Sequence, residues 1–110
     1  MSVQHKVLSE GGWAAMPFVE QMANIGSEVE RALRWRAKTN FEYSRQAFER
    51  ALELIDFTMG DSRNLSRLKE IARAREVLVD FFFGDNRFSS TPESWSKYFM
   101  YFAYAARKNR

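Results

Sequence analysis

The chain has 110 residues, of which 45% are apolar and 28% charged, with two prolines and no cysteine. This length predicts one domain, and the apolar fraction is too high for a disordered chain. The lack of cysteine excludes disulfides and thiolate chemistry, and the single histidine, His5, excludes a multi-histidine metal site. No apolar run reaches the ~18 residues of a membrane span, and the N-terminus lacks the apolar core of a signal peptide. We therefore expect a cytoplasmic domain that holds no metal and no other cofactor.

The positive charge is concentrated near the C-terminus. Seventeen basic and fourteen acidic side chains give a net charge of +3, and residues 81–110 hold five basic but two acidic ones. Elsewhere most arginines alternate with glutamates at helical spacing, which is typical of a solvated helix face. A nucleic-acid-binding face usually gathers its basic residues together. Nucleic-acid binding is therefore compatible with the sequence but not indicated by it.

The N-terminal segment has no regular apolar pattern. Residues 1–16 include the pair Gly11-Gly12 and mix polar with apolar side chains. Such a segment predicts a loosely ordered arm, followed by a single helical domain at residues 17–110.

The first helical pattern begins at Phe18, from which apolar residues recur at steps of three and four. The pattern extends to about Arg36. Gly26 interrupts this pattern, and Ser27 with Glu30 matches a capping box. The sequence allows one helix that bends near Gly26, or a short extra N-terminal helix before a new start at Ser27. We expect the second arrangement.

A second helix is predicted over residues 41–59, with Asn40 as its N-cap. Its apolar side is formed by residues at helical spacing, namely Phe41, Phe48, Leu52, Ile55 and Met59. The opposite side is charged, and Arg45 lies within pairing distance of both Glu42 and Glu49.

Two further helices complete the predicted fold. The third is expected over about residues 64–83, with an apolar side made of Leu65, Leu68, Ile71, Ala72, Val79 and Phe82. After a loop at residues 84–91, the run Thr91-Pro92-Glu93 predicts the start of the fourth helix, because proline at the first helical position loses no hydrogen bond. Four helices with short connections predict an all-α fold, an antiparallel up-down four-helix bundle.

Aromatic residues are abundant in the C-terminal half. The chain has ten Phe, four Tyr and three Trp, and more than half of them lie between Phe81 and Tyr104. The last helix is apolar on more sides than one bundle can bury, so we expect a second copy of the chain, most simply in a dimer, or another protein to cover it. The alternative is that the N-terminal arm, with Trp13 and Phe18, folds over it. The interface candidates are Trp95, Tyr98, Tyr101, Phe102 and Tyr104.

An acidic residue interrupts the most apolar run of the chain. Asp80 lies within Val77–Phe83, and a buried carboxylate is costly unless it is paired or hydrogen-bonded. The functional interpretation is a polar site that Asp80 forms with Arg73 or Arg75. The structural interpretation, which we favour, is a solvent-facing residue or one half of a structural ion pair. No catalytic residue is predicted, because the chain lacks a phosphate-binding glycine loop, a serine elbow and a paired-histidine motif.

The second predicted helix resembles the signature helix of the HEPN family. The matching residues are Tyr43 and the run from Gln46 to Ile55, and Trp35–Lys38 with Phe41 is similar to the first long helix of that family. The resemblance covers about residues 28–60. It implies a helical bundle, a dimer and an association with nucleotidyltransferases.

The chain departs from the pattern of the HEPN nucleases. Those members carry an arginine followed a few residues later by a histidine, whereas here Arg75 is followed at that spacing by Asp80. An aspartate does not replace a histidine near neutral pH without a large pKa shift. The resemblance therefore implies the fold and the dimer rather than RNA cleavage. The run Phe48–Leu54 also resembles a tetratricopeptide-repeat helix, but the chain has no second copy of it.

Taken together, the sequence predicts a non-enzymatic helical-bundle interaction module that self-associates through its aromatic C-terminal half. The alternative is a HEPN-like protein that handles nucleotides or RNA, or is a partner of a nucleotidyltransferase, with a polar patch around Arg73, Arg75 and Asp80.

Overall fold

A computed structural model describes residues 12–13 and 15–108 of the chain. These residues form an all-α four-helix bundle without a β-strand, which confirms the predicted fold class. The helices are α1 (Phe18–Ala37), α2 (Phe41–Met59), α3 (Leu68–Phe83) and α4 (Pro92–Lys108), with a 3-10 helix (Ser62–Arg67) between α2 and α3. None of the described helices has the length and apolarity that a membrane span requires.

The first helix is the central element of the bundle. α1 packs along both α2 and α4, whereas α3 packs chiefly against α2. All four helices contribute to one core, whose fully buried centre includes Ile25, Val29, Phe48, Ile55, Ile71 and Leu78. The C-terminal helix closes this core with Trp95, Phe99 and Phe102.

α1 continues without a break through Gly26, so the prediction of a short helix before Ser27 is wrong. The Ser27 hydroxyl caps no helix; it donates to the backbone carbonyl of Ala23 within α1. Gly26 is the position at which α4 approaches α1. A Cβ atom at Gly26 would lie 2.7 Å from the Cβ of Phe99, which is closer than packed carbon atoms approach one another. The glycine therefore serves the contact between two helices rather than the end of one.

α2 begins and ends where the sequence predicts. The side chain of Asn40 accepts a hydrogen bond of 3.0 Å from a backbone N–H in the first turn. Arg45 contacts Glu42 at 2.8 Å and Glu49 at 2.9 Å, as the spacing predicts. Phe41, expected on the core side, is instead 64% exposed, because the first residue of the helix lies beyond the end of the core.

α3 starts later than predicted, because the chain first forms the 3-10 helix. The carboxylate of Asp61 caps that helix by accepting a 3.0 Å hydrogen bond from the N–H of Arg63. Leu65, expected on the apolar side, is 69% exposed, since the tighter 3-10 turn does not keep it in line with α3. The buried residues of α3 are Ile71, Ala74, Leu78 and Phe81, so its core side is rotated from the predicted one.

The connection into α4 has the predicted capping chemistry. Pro92 is the first helical residue, and the hydroxyl oxygen of Thr91 accepts a 3.0 Å hydrogen bond from the N–H of Ser94. In the loop, Asn86 has a φ of 53°, which asparagine tolerates better than most residues. Its side chain also accepts from and donates to the backbone of Ser90. These local contacts fix where α4 begins.

The predicted arm at residues 1–16 lies largely outside the described residues, and so does His5. Within its described part, Trp13 is 3% exposed and belongs to the core. The domain core therefore includes at least this residue of the arm.

Candidate functional site

The C-terminal helix has a buried side and an exposed side with the same helical period. The buried side consists of Trp95, Phe99, Phe102 and Ala106. The opposite side, here called the outward α4 face, consists of exposed residues: Glu93, Lys97, Met100, Tyr101, Tyr104, Arg107 and Lys108. The exposed fractions of Met100, Tyr101 and Tyr104 are 64%, 66% and 58%. Three large side chains on one helix face are thus left mostly in solvent.

The five interface candidates lie in three environments. Trp95 and Phe102 are buried in the core, and Tyr98 is half-buried beside α3. Tyr101 and Tyr104 are the two candidates that belong to the outward α4 face.

Of the two aromatic residues of the alternative prediction, Phe18 packs on α4 and Trp13 packs on α2. The ring of Phe18 lies edge-on to that of Phe102, with 5.9 Å between centroids, on the buried side of α4. Trp13 contacts α2, where its indole N–H donates to the hydroxyl of Thr58. Neither residue covers Tyr101 or Tyr104.

The three polar-site candidates are not hydrogen-bonded or ion-paired to one another in the described part of the chain. Arg75 donates through Nε to a carboxylate oxygen of Asp56 on α2, at 2.9 Å. The Asp80 carboxylate accepts hydrogen bonds of 2.9 and 3.1 Å from two backbone N–H groups of the α3–α4 loop. The guanidinium carbon of Arg73 lies 4.7 Å from the ring centroid of Phe88. Asp80 thus fixes the loop and Arg75 joins two helices. Arg73 and Asp80 both contact Phe88, Arg73 at its ring and Asp80 at its backbone N–H.

A cleft of about 360 Å³ lies between α3 and α4 and is here called the α3–α4 cleft. Its floor contains the buried residues Ala74 and Trp95 and the half-buried Val77. Glu70 and Arg73 are exposed at its rim, and Ser90, Ser94 and Tyr98 complete the lining. The cleft therefore combines an apolar floor with a polar rim, as small-molecule sites commonly do.

The charged groups at the rim differ in how they are paired. The hydroxyl of Tyr98 donates to a carboxylate oxygen of Glu70 at 3.5 Å. Burial, together with the charge of Glu70, raises the pKa of Tyr98 to about 12. Arg73 has neither a hydrogen-bond acceptor nor a carboxylate partner in the part of the chain that the structure describes. The cleft thus has an unpaired cation at one position and a partnered carboxylate at another.

A buried polar cluster joins the start of α1, the end of α2 and the 3-10 helix; we call it the base network. Gln21 is fully buried, and its amide donates to the carbonyl of Trp13 and to the carboxylate of Asp61, each at 3.0 Å. Its own oxygen accepts a 2.9 Å hydrogen bond from Asn64. The indole of Trp13 donates to the hydroxyl of Thr58 at 3.1 Å. Sequence reasoning missed this cluster, because its members are far apart along the chain.

Asp61 is the ionised member of the base network. Hydrogen bonds from the side chain and backbone of Arg63, and from Gln21, hold the pKa of Asp61 well below its ordinary value of 3.8. Arg63 also donates to the carbonyl of Met16 at 2.8 Å. The ion pair therefore ties the segment before α1 to the 3-10 helix.

No protein-family model, curated protein or solved structure matches this chain. The class that its geometry defines is an all-α four-helix bundle with an exposed aromatic face on α4 and a cleft between α3 and α4. Across residues 12–13 and 15–108, no three acidic or histidine side chains are grouped so that they could hold a metal ion.

Proposed function

We propose that this protein is a non-enzymatic interaction module that forms a symmetric dimer through the outward α4 face. The observation that carries the proposal is the exposure of Met100, Tyr101 and Tyr104, each more than half in solvent, on the side of α4 opposite the core. Exposed apolar patches rimmed by polar residues mark protein interaction sites. Tyrosine suits such a site, because its ring is apolar while its hydroxyl can remain hydrated.

The charges of this face favour a second copy of the chain as the occupant. Glu93 lies near the start of α4 and Lys108 at its end, each about 11 Å along the axis from the midpoint between Met100 and Tyr101. If two α4 helices cross antiparallel at that midpoint, Glu93 of each copy lies opposite Lys108 of the other. A twofold axis makes this favourable contact twice. A parallel arrangement would instead place Lys108 beside Lys108.

The same antiparallel arrangement matches the inner part of the face. Lys97 and Tyr104 are equally far from the midpoint, on opposite sides of it. Each lysine would therefore lie over the tyrosine of the other copy, which is a favourable cation–π geometry. Met100 and Tyr101 would meet their counterparts at the centre, where burial contributes most.

The partners of the polar-site candidates also support a binding role over a catalytic one. Arg75 is paired with Asp56, and Asp80 holds loop amides, so neither is poised to act on a substrate. The HEPN-like alternative stays a prediction; under it, nucleotide or RNA binding would depend on salt and would weaken in Arg75→Ala. A cytoplasmic location belongs to our proposal and is supported by the absence of cysteine.

The proposal is tested by light scattering over about a tenfold range of concentration. We expect a mass of twice 12.9 kDa for the wild type. Tyr101→Glu should give a monomer, because it places two like charges at the centre of the interface. The matched control is Tyr43→Glu, which changes an exposed tyrosine of α2 and should leave the dimer intact.

A charge exchange tests the antiparallel register. Glu93→Lys and Lys108→Glu should each weaken association by about tenfold, whereas the double variant should recover most of the loss. A wild-type monomer at every concentration would refute the proposal. A dimer that both single variants leave unchanged would refute the register.

A further inference from the structure

The α3–α4 cleft is lined by a cation that has no carboxylate partner among the described residues. Arg73 packs its guanidinium against the ring of Phe88, at 4.7 Å from carbon to ring centroid. This contact orients the planar group, while its N–H donors have no acceptor among the residues described here. Guanidinium groups bind carboxylates through two parallel hydrogen bonds, and an orientation held in advance lowers the entropic cost of such binding.

The floor of the cleft is apolar and partly aromatic. Ala74 and Val77 from α3 and the ring of Trp95 from α4 line it, and both Ala74 and Trp95 are buried. The volume of about 360 Å³ lies within the range of small-molecule sites. A flat ring fits a floor of this composition better than a branched or charged group does.

The remaining rim charge limits the charge of a ligand. Glu70 is a carboxylate at the rim and accepts a hydrogen bond from Tyr98. Its negative charge disfavours a second negative charge on anything bound beside it. The rim therefore discriminates against dianions such as phosphate monoesters.

We infer that the α3–α4 cleft binds a small planar aromatic monocarboxylate, with the carboxylate on Arg73 and the ring on the floor formed by Ala74, Val77 and Trp95. The inference does not depend on the proposed dimer, because the cleft and the outward α4 face share no residue.

The probe for the test is 2-naphthoate, titrated into the full-length protein while tryptophan fluorescence and saturation-transfer NMR are recorded. We expect Arg73→Gln to weaken binding by about tenfold or more, since it removes the charge-assisted hydrogen bonds. The matched control is Arg75→Gln on the same helix, which removes a cation that does not line the cleft and should change the affinity less than about twofold. Val77→Trp should block binding by filling the cleft, and circular dichroism will show whether that variant keeps its helices.

Two further ligands separate the chemical alternatives. Neutral 2-naphthamide should bind about tenfold more weakly than 2-naphthoate if the carboxylate contacts Arg73. Adenosine monophosphate, a phosphate monoester, tests whether the cleft disfavours dianions. If it binds more tightly than 2-naphthoate, the inference of a monocarboxylate site is overturned. It is also overturned by equal affinities of the Arg73→Gln and Arg75→Gln variants, or by no binding up to about 10 mM. Binding should survive Tyr101→Glu, so a failure of the dimer proposal and a failure of this one can be told apart.

Discussion

Two regions of the molecule differ in whether their buried polar groups are hydrogen-bonded: the base network, and the part of the bundle that packs beside α3. In the base network, the amides of Gln21 and Asn64 are buried and both are hydrogen-bonded. Beside α3, Nε1 of Trp95 and Nη1 of Arg36 are buried without an acceptor in the described part of the chain. The Arg36 guanidinium packs instead over the ring of Phe81, at 4.3 Å.

This difference separates a stabilising region from an adaptable one. A buried donor without an acceptor costs about 1–3 kcal/mol, whereas a fully hydrogen-bonded cluster fixes its surroundings. The base network locks α1, α2 and the 3-10 helix together. The α3 side and α4 retain an unpaired Arg73 and exposed aromatic rings. Changes in the first region should therefore alter folding, and changes in the second should alter binding.

The largest expected effect comes from removing the indole of the base network. Trp13→Ala should lower the free energy of unfolding by about 3–5 kcal/mol, because it leaves a cavity in the core and deprives Thr58 of a donor. Urea denaturation followed by circular dichroism measures this loss. The proposed dimer should persist while the variant is folded, since Trp13 contacts Gln21 and Thr58 and is not part of the outward α4 face.

A conservative variant separates packing from hydrogen bonding at this position. Trp13→Phe keeps most of the ring volume and removes the indole N–H, so it should cost less than Trp13→Ala, about 1–2 kcal/mol. A loss below about 1 kcal/mol in Trp13→Ala would contradict the core position of this residue.

The parts of the fold that depend on neighbouring residues were predictable from the sequence. The limits of α2 and the caps Asn40 and Thr91 rest on contacts within three residues along the chain. The role of Gly26 within a continuous α1 was not predictable, because the residue it accommodates, Phe99, is distant in sequence. Leu65 was misplaced for a related reason: the 3-10 helix before α3 accommodates the buried side chain of Asn64, whose partners include Gln21 of α1.

The contact between α1 and α4 gives the next largest prediction. Gly26→Ala should destabilise the protein by about 1–3 kcal/mol through overpacking against Phe99, even though alanine favours helices by about 1 kcal/mol over glycine. The control is Gly60→Ala, where φ is −80° and the nearest atom to an added Cβ lies at 3.5 Å. That change should be neutral or stabilise the protein by up to about 1 kcal/mol. Stabilisation by both changes in thermal unfolding would show that α4 moves away from α1 without cost.

The candidate site was predictable only in part. Helical period and composition predicted an interface that includes Tyr101 and Tyr104, and the structure leaves both residues exposed. The abundance of aromatic residues in α4 made Trp95 and Phe102 equal candidates, since the sequence does not reveal which side of such a helix meets the core. The α3–α4 cleft depends on how far α3 and α4 lie apart, and that spacing is set by their packing on different partners.

The smallest expected effect is a difference in acid sensitivity that arises from the base network. The pKa of Asp61 is lower in the folded protein than its ordinary value of 3.8, chiefly because Arg63 donates to its carboxylate. As the pH falls, the unfolded chain therefore takes up this proton first, and the stability that Asp61 contributes at neutral pH is lost progressively below about pH 4.

The Asp61→Asn variant lacks the carboxylate that binds this proton. Its free energy of unfolding should therefore fall less than that of the wild type between about pH 5 and pH 2.5. Asp85→Asn removes a carboxylate from the exposed α3–α4 loop and leaves the contacts of Asp61 intact, so it should lose stability in parallel with the wild type. Urea denaturation at a series of pH values gives the three curves. If Asp61→Asn and the wild type run parallel, the carboxylate of Asp61 is not held by Arg63 in solution, and the base network owes its stability to the neutral hydrogen bonds of Gln21, Thr58 and Asn64 alone.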